Sequence, residues 1–149
     1  MHRTGVIVTT NEVLQEFSSA RGAKCTSVEL YAPDSWSFNF DGRLWLNVQC
    51  PWRIINERGI KLGSVDNGQQ FGLPSPVDGS AVAMRLLADA PLREVLVAEK
   101  TGDIAFEFES GSRLDVFNNS SGYEGWSCGI PGFEIIGMGG GTIARVSKT

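Results

Sequence analysis

Hydrophobic and polar residues alternate most cleanly between positions 36 and 49. Trp36, Phe38 and Phe40 alternate with Ser37 and Asn39, and Leu44, Leu46 and Val48 alternate with Trp45, Asn47 and Gln49. A period of two marks a strand with one buried face, so the stretch predicts an antiparallel hairpin. Parity gives the length of its loop. A two-residue turn at Asp41-Gly42 would set Phe38 opposite Trp45 and turn Leu44 and Leu46 away from the phenylalanines. A three-residue loop, Asp41-Gly42-Arg43, pairs Phe40 with Leu44 and Phe38 with Leu46 and gathers these side chains on one face. Gly42 then supplies the left-handed position that such a loop needs.

The phrase returns later in the chain: "FNFDGRLWLNV" at 38–48 is echoed by "FEFESGSRLDVF" at 106–117. Phe106 and Phe108 match Phe38 and Phe40, and Leu114 and Val116 match Leu44 and Leu46. The second loop is expected over residues 109–113, five residues with the parity of three, and Trp45 is thereby matched with Asp115. Upstream, "SVELYAPDSW" parallels "EVLVAEKTGDI", each a strand and a turn. A helix is expected before each. Thr9-Thr10-Asn11-Glu12 reads as a capping box, followed by Val13, Leu14 and Phe17 on one face and Gly22 as terminator. Ser80 is the expected cap of "AVAMRLLAD", which Pro91 stops. Downstream of each hairpin lies a tryptophan strand, in "PWRII" and in "YEGWSCGI", and "FEIIGMGGGTIARV" predicts a last hairpin around a glycine run.

The pattern therefore predicts one α+β domain over 1–149, mainly antiparallel sheet. Two pseudo-repeated halves, roughly 9–64 and 80–147, are joined by a loop at 65–79 rich in Gly, Pro, Asp and Ser. Each half is a short helix followed by three or four strands. Neither can bury its apolar face alone, so the two must pack together or merge. Duplication of an ancestral half would account for the shared order of elements; the alternative is that any two hairpins written with Phe and Leu look this similar.

Composition narrows the function. The chain has 149 residues, a net charge of −4 and 13 scattered Lys and Arg with no run of three. A counterion-displacing basic patch is missing from that pattern, so nucleic acid is not an expected partner. No apolar run approaches the roughly 20 residues of a membrane span. Val6-Ile7-Val8 is far shorter than the roughly 7–15 residues of a secretory h-region, and a cytoplasmic location is expected. The three cysteines, Cys25, Cys50 and Cys128, are widely spaced and form no Cys-x-x-Cys. They read as buried thiols rather than a disulfide framework or a zinc site. His2 is the sole histidine, which argues against a Ser-His-Asp or Cys-His centre and against a His-based metal site. No cofactor is expected.

The segments "QCPWRII", "LGSVD", "GDIAFEFESGSRLDVF", "YEGW" and "GMGGG" carry a combined pattern over residues 36–141. Together they resemble a family of small bacterial single-domain proteins of unknown function, some proposed as immunity partners in polymorphic toxin systems. The matching positions are Trp52, Arg53, Gly63, Asp66, Tyr123, Glu124 and Trp126. That family carries a Pro-Gly-Gly turn near its end, where this chain has Met138-Gly139-Gly140. The resemblance brings no catalytic residue and implies a protein partner.

Candidate contact residues follow from type and place. Trp52, Arg53 and Asp66 would line a surface beside "PWRII", since Trp and Arg are enriched at binding hot spots; a core Trp52 and a salt-bridged Arg53 are the plainer reading. Glu124 shares a strand face with Trp126, beside Tyr123. Apolar surroundings could raise such a carboxyl, with Asp115 or Glu107 as second group. Trp45 points away from the core among amides, an aromatic platform or an interface. The glycine run at 137–142 lacks the Gly-Lys-Ser/Thr of a phosphate loop. The expected function is a non-enzymatic protein-binding module, immunity-like, whose partner is a toxin or a second copy. The alternative is a small-molecule-binding protein, or a carboxylate-dependent enzyme, with its site between the halves.

Overall fold

The computed structural model describes residues 5–148. In chain order it contains β1 (Val6–Val8), α1 (Thr10–Glu16) running into a 3-10 turn (Phe17–Ala20), β2 (Cys25–Ala32), β3 (Ser35–Phe40), β4 (Leu44–Val48), β5 (Trp52–Asn56), β6 (Gly59–Gly63), α2 (Gly79–Leu87), β7 (Leu92–Val97), β8 (Ile104–Phe108), β9 (Arg113–Val116), β10 (Trp126–Ile130), β11 (Phe133–Gly137) and β12 (Ile143–Ser147). The class is α+β, with all strand pairs antiparallel.

The first hairpin has the register that parity requires. Phe40 pairs with Leu44, Phe38 with Leu46 and Trp36 with Val48. Arg43 N–H donates to the Phe40 carbonyl at 3.0 Å, and both Asp41 (φ 37°) and Gly42 (φ 78°) lie in the left-handed region. The Asp41 carboxylate meets the cost of its conformation with three hydrogen bonds, from Lys24 N–H (2.9 Å), Arg43 Nε (2.9 Å) and Arg43 Nη2 (3.2 Å). The Arg43 guanidinium, chiefly through these bonds, holds Asp41 below the usual carboxylate range.

The second hairpin keeps the expected faces but corrects the loop. Phe106 pairs with Leu114 and Ile104 with Val116, and Phe108 N–H donates to the Ser112 carbonyl at 3.0 Å. The loop is therefore residues 109–111, three residues as in the first hairpin, and not 109–113. Ser112 and Arg113 extend the strand. Equivalence moves by one pair: Leu114 stands where Leu46 does, and Trp45 is matched by Arg113 rather than Asp115.

The strands that follow each hairpin exchange places. After β4 the chain crosses at 49–51 to the other sheet, where β5 pairs with β9, setting Trp52 opposite Val116. After β9 it crosses back, and β10 pairs with β4, setting Trp126 opposite Val48. The sheet orders become β1-β12-β11-β10-β4-β3-β2 and β6-β5-β9-β8-β7. Read from β2 and from β7, the two sheets start alike: the first three strands of one half, then two from the other. The helices obey the same exchange. α1 packs on β7, and α2 packs on β2 and reaches β6.

The inner faces meet in one apolar core. Phe40 of one sheet stacks on Phe106 and Phe108 of the other, at centroid distances of 6.3 and 6.0 Å. Trp52 makes edge contacts with Trp36 (5.0 Å) and Phe38 (5.2 Å), in the geometry aromatic quadrupoles favour. α1 begins with the capping box formed by Thr9 and Glu12. α2 is capped by Asp78, whose carboxylate accepts from Ala81 N–H at 3.1 Å, and not by Ser80. β11 and β12 form the last hairpin around Gly139–Gly141. β1, an edge strand on β12, and β6 have no counterpart in the expected pattern.

Candidate functional site

Residues 64–78 leave the sandwich after β6 and form an ordered loop. Its base is fixed by Gly63 N–H on Asp66 Oδ2 (2.7 Å) and Gly79 N–H on Asn67 Oδ1 (2.8 Å). Gly79 is required there, because a Cβ would lie 2.8 Å from Trp36 Cη2. The stem is closed by Gly68 N–H to Val77 O and Val77 N–H to Gln69 O, both 2.8 Å. At the tip Leu73 N–H donates to Gln70 O at 2.8 Å. The central residues of this turn, Phe71 and Gly72, have φ of 49° and 75°, the signature of a type I′ turn. Glycine accepts that conformation freely; phenylalanine does so at a cost of roughly 1–2 kcal/mol.

Nothing in the core repays that cost. Phe71 is 68% exposed, with Leu73 and Val65 also outside the sandwich. The loop carries Asp66 and Asp78 and no Lys or Arg. Sequence pattern did not single out Phe71, since an aromatic inside a Gly- and Pro-rich segment gives no periodic signal. The dipeptide Phe71-Gly72 flanked by glutamines and proline was the available hint.

The residues singled out from sequence fall in several places. Trp52 and Trp126 are core side chains, each 2% exposed. Trp126 Nε1 donates to Gly102 O at 2.8 Å. Trp52 Nε1 has no oxygen or nitrogen acceptor among the described residues, and its neighbours are the perpendicular rings of Trp36 and Phe38. Neither indole presents a surface. Arg53 lies on the outer face of the five-stranded sheet, 5.2 Å above the Phe117 ring. Its Nε is 3.2 Å from Asp115 Oδ2, and Arg113 Nε is 2.5 Å from Asp115 Oδ1, so the buried carboxylate sits between two guanidiniums. Asp66 serves the loop base. Tyr123 is 82% exposed, its N–H bonded to Ser120 Oγ at 2.9 Å.

Glu124 lines a dent on the outer face of the seven-stranded sheet with Tyr31, Asn47, Gln49 and Ser127. Asp115 and Glu107 are on the outer face of the other sheet, so the structure does not bring the expected carboxylate pair together. Where the chain crosses between the sheets near Gly125, the packing is close. A Cβ on Gly125 would lie 2.4 Å from Asn118 Oδ1 and 3.1 Å from Cys50 Sγ. Asn118 braces this crossover, donating to Thr101 O (3.0 Å) and Met138 O (2.9 Å). Trp45, half-buried, lies flat over Gly129 with Lys148 Nζ 5.3 Å from its centroid.

All three thiols are buried. Desolvation pushes Cys25 up to about 11 and Cys50 up to about 12, and raises Cys128 further; none is poised as a nucleophile. Among the described residues no group of three or more His, Cys, Asp or Glu could hold a metal. Nor, among the described residues, is any helix long and apolar enough to cross a membrane.

The architecture is thus an α+β fold of two antiparallel sheets with exchanged strands. No protein-family model, curated protein or solved structure matches the chain.

Proposed function

We propose that this chain is a non-enzymatic binding module that docks another protein through the loop at 64–78, with Phe71 entering an apolar pocket of the partner. The observation that carries the reading is the conjunction at Phe71 of a positive φ and 68% exposure. Strained residues held by surrounding structure cluster at recognition sites. Docking would bury the remaining two thirds of the side chain, worth about 2 kcal/mol, and the pre-formed turn lowers the ordering cost of association. Two aspartates and no basic residue on the loop favour a partner whose pocket has a basic rim. The finer reading, an immunity-like protein that covers a toxin's active site, is supported by the motif resemblance and by the acidic balance of the chain.

A photo-crosslinking amino acid at position 71 in source cells should trap one protein that the same group at position 94, on an outer strand, does not. That protein, purified, should bind the wild-type chain in calorimetry and bind Phe71→Ala at least tenfold more weakly, with Glu94→Ala unchanged. Equal affinity for wild type and Phe71→Ala would overturn the reading. For the immunity-like form, the trapped protein should also lose its toxicity when co-expressed with wild type and keep it with Phe71→Ala.

A further inference from the structure

The outer face of the seven-stranded sheet has a chemistry unlike the docking loop. Two aromatic rings stand on it, one on the interior strand β4 and one on the edge strand β2. Trp45 on β4 lies flat on the sheet because Gly129, its cross-strand partner on β10, offers no side chain beneath the ring. Tyr31 on β2 is 52% exposed. From strand rise and spacing the two are ~15 Å apart, the length of a short oligosaccharide. Between them half-buried Ser37 and Asn47, a cross-strand pair, present a hydroxyl and an amide, while Ser127, the other partner of Asn47, is buried beneath the lane. Asn39 is held rigid, its Nδ2 donating to Ser27 Oγ at 3.0 Å and Ser37 Oγ at 3.5 Å. Gln49 and Glu124 close the lane beside Tyr31.

We infer that this face binds a neutral pyranose chain. The apolar C–H face of a sugar ring stacks on a flat indole or phenol, and its hydroxyls need paired donors and acceptors, which amides supply. One cation, Lys148, stands 5.3 Å from the Trp45 centroid, against three carboxylates on the same outer face, Glu29, Glu124 and Glu134, and this acidic balance disfavours phosphate and other polyanions. A purely apolar ligand would leave the Asn47 and Gln49 amides unpaired. A lane of small Ser side chains between two rings gives a ring-sized chain room to lie flat. The site is independent of the docking loop and stands or falls without it.

The test is isothermal calorimetry of the chain with cellohexaose, xylohexaose, laminarihexaose, mannohexaose and chitohexaose, with hyaluronan hexasaccharide as the charged control. At least one neutral oligosaccharide should give saturable binding, and hyaluronan none. Trp45→Ala and Tyr31→Ala should each weaken binding at least tenfold, and Trp45→Phe should restore part of it. Tyr31 is exposed enough that its variant folds irrespective of the outcome at Trp45. Absence of saturable binding to all five neutral chains overturns the inference, as does binding that survives both alanine variants. Sedimentation equilibrium of the unliganded chain gives a separate check. A dimer that Trp45→Ala splits assigns the face to a second copy and also overturns it.

Discussion

Replacing Gly129 by Ala probes the packing of Trp45 directly. A Cβ at this position would lie 2.0 Å from Trp45 Nε1, 2.1 Å from Cε2 and 2.5 Å from Cζ2, against ordinary contacts of 3.4–4 Å. The ring must retreat by more than an ångström. Because Trp45 is on an outer face it can swing toward water, so the cost is the loss of its seat rather than a trapped clash. Uncovering one indole face exposes roughly 80 Å² of apolar surface, about 2 kcal/mol, and losing the Lys148 contact adds about 0.5 kcal/mol. The backbone gain from Gly to Ala offsets about 0.5 kcal/mol. The net expectation is a loss of about 2 kcal/mol in urea unfolding with an unchanged slope. In a Trp45→Ala background the obstruction is gone, and Gly129→Ala should be neutral or slightly stabilising. The double-mutant cycle then yields a coupling of about 2 kcal/mol. A coupling below about 0.5 kcal/mol would show that Trp45 does not rest on Gly129, and would remove the flat ring on which the sugar site depends.

Phe106→Ala deletes the ring that stacks on Phe40 and should cost about 3–5 kcal/mol in denaturant unfolding; a loss below about 1 kcal/mol would mean the sheets do not meet there. Native protein at pH 8 should leave all three buried thiols unreacted with a disulfide reagent until urea is added. The thiols also set an alkaline limit. Burial holds the folded pKa values, about 11 for Cys25 and about 12 for Cys50, above the ordinary thiol value of 9.0. Their contribution is therefore complete below pH 9 and lost as pH rises toward 11–12, because the unfolded chain releases protons first. Stability measured across that window should fall less steeply in Cys50→Ala. Asp41 has the opposite sign, its folded pKa lowered by Arg43, so its support for the first hairpin fades as acid protonates it, a dependence Asp41→Asn should abolish.

The parts of the fold legible in sequence were those with an alternating pattern and a parity constraint. Phe38, Phe40, Leu44 and Leu46 could share a face in one register only, and they do. The second loop reads as five residues because Ser112 and Arg113 look like loop residues, although Ser112 is buried opposite Phe108. Asp78 and Ser80 are equally good caps by type, and only the exit of the loop decides between them. The strand exchange left no trace, since alternation says which face of a strand is apolar and never which neighbour it joins. The same limit applies to the sites. Trp45 announced its outward place by parity, and Trp52 and Trp126 looked like contact residues because an indole suits a core and an interface equally. Phe71 stayed hidden because backbone sign is not written in hydropathy.

The exchange of β5 and β10 has an assembly consequence. A chain of one half alone would carry a tryptophan strand with no home in its own sheet and a helix with no edge of its own to cover. The smallest particle such a half could complete is a pair of identical molecules, each lending its last strands and its helix to the other. The 149-residue chain encloses that pair in one polypeptide, with residues 64–78 as the tether. Its halves would remain clasped after a single cut in the tether, and each separated half should recover its shape by finding the other.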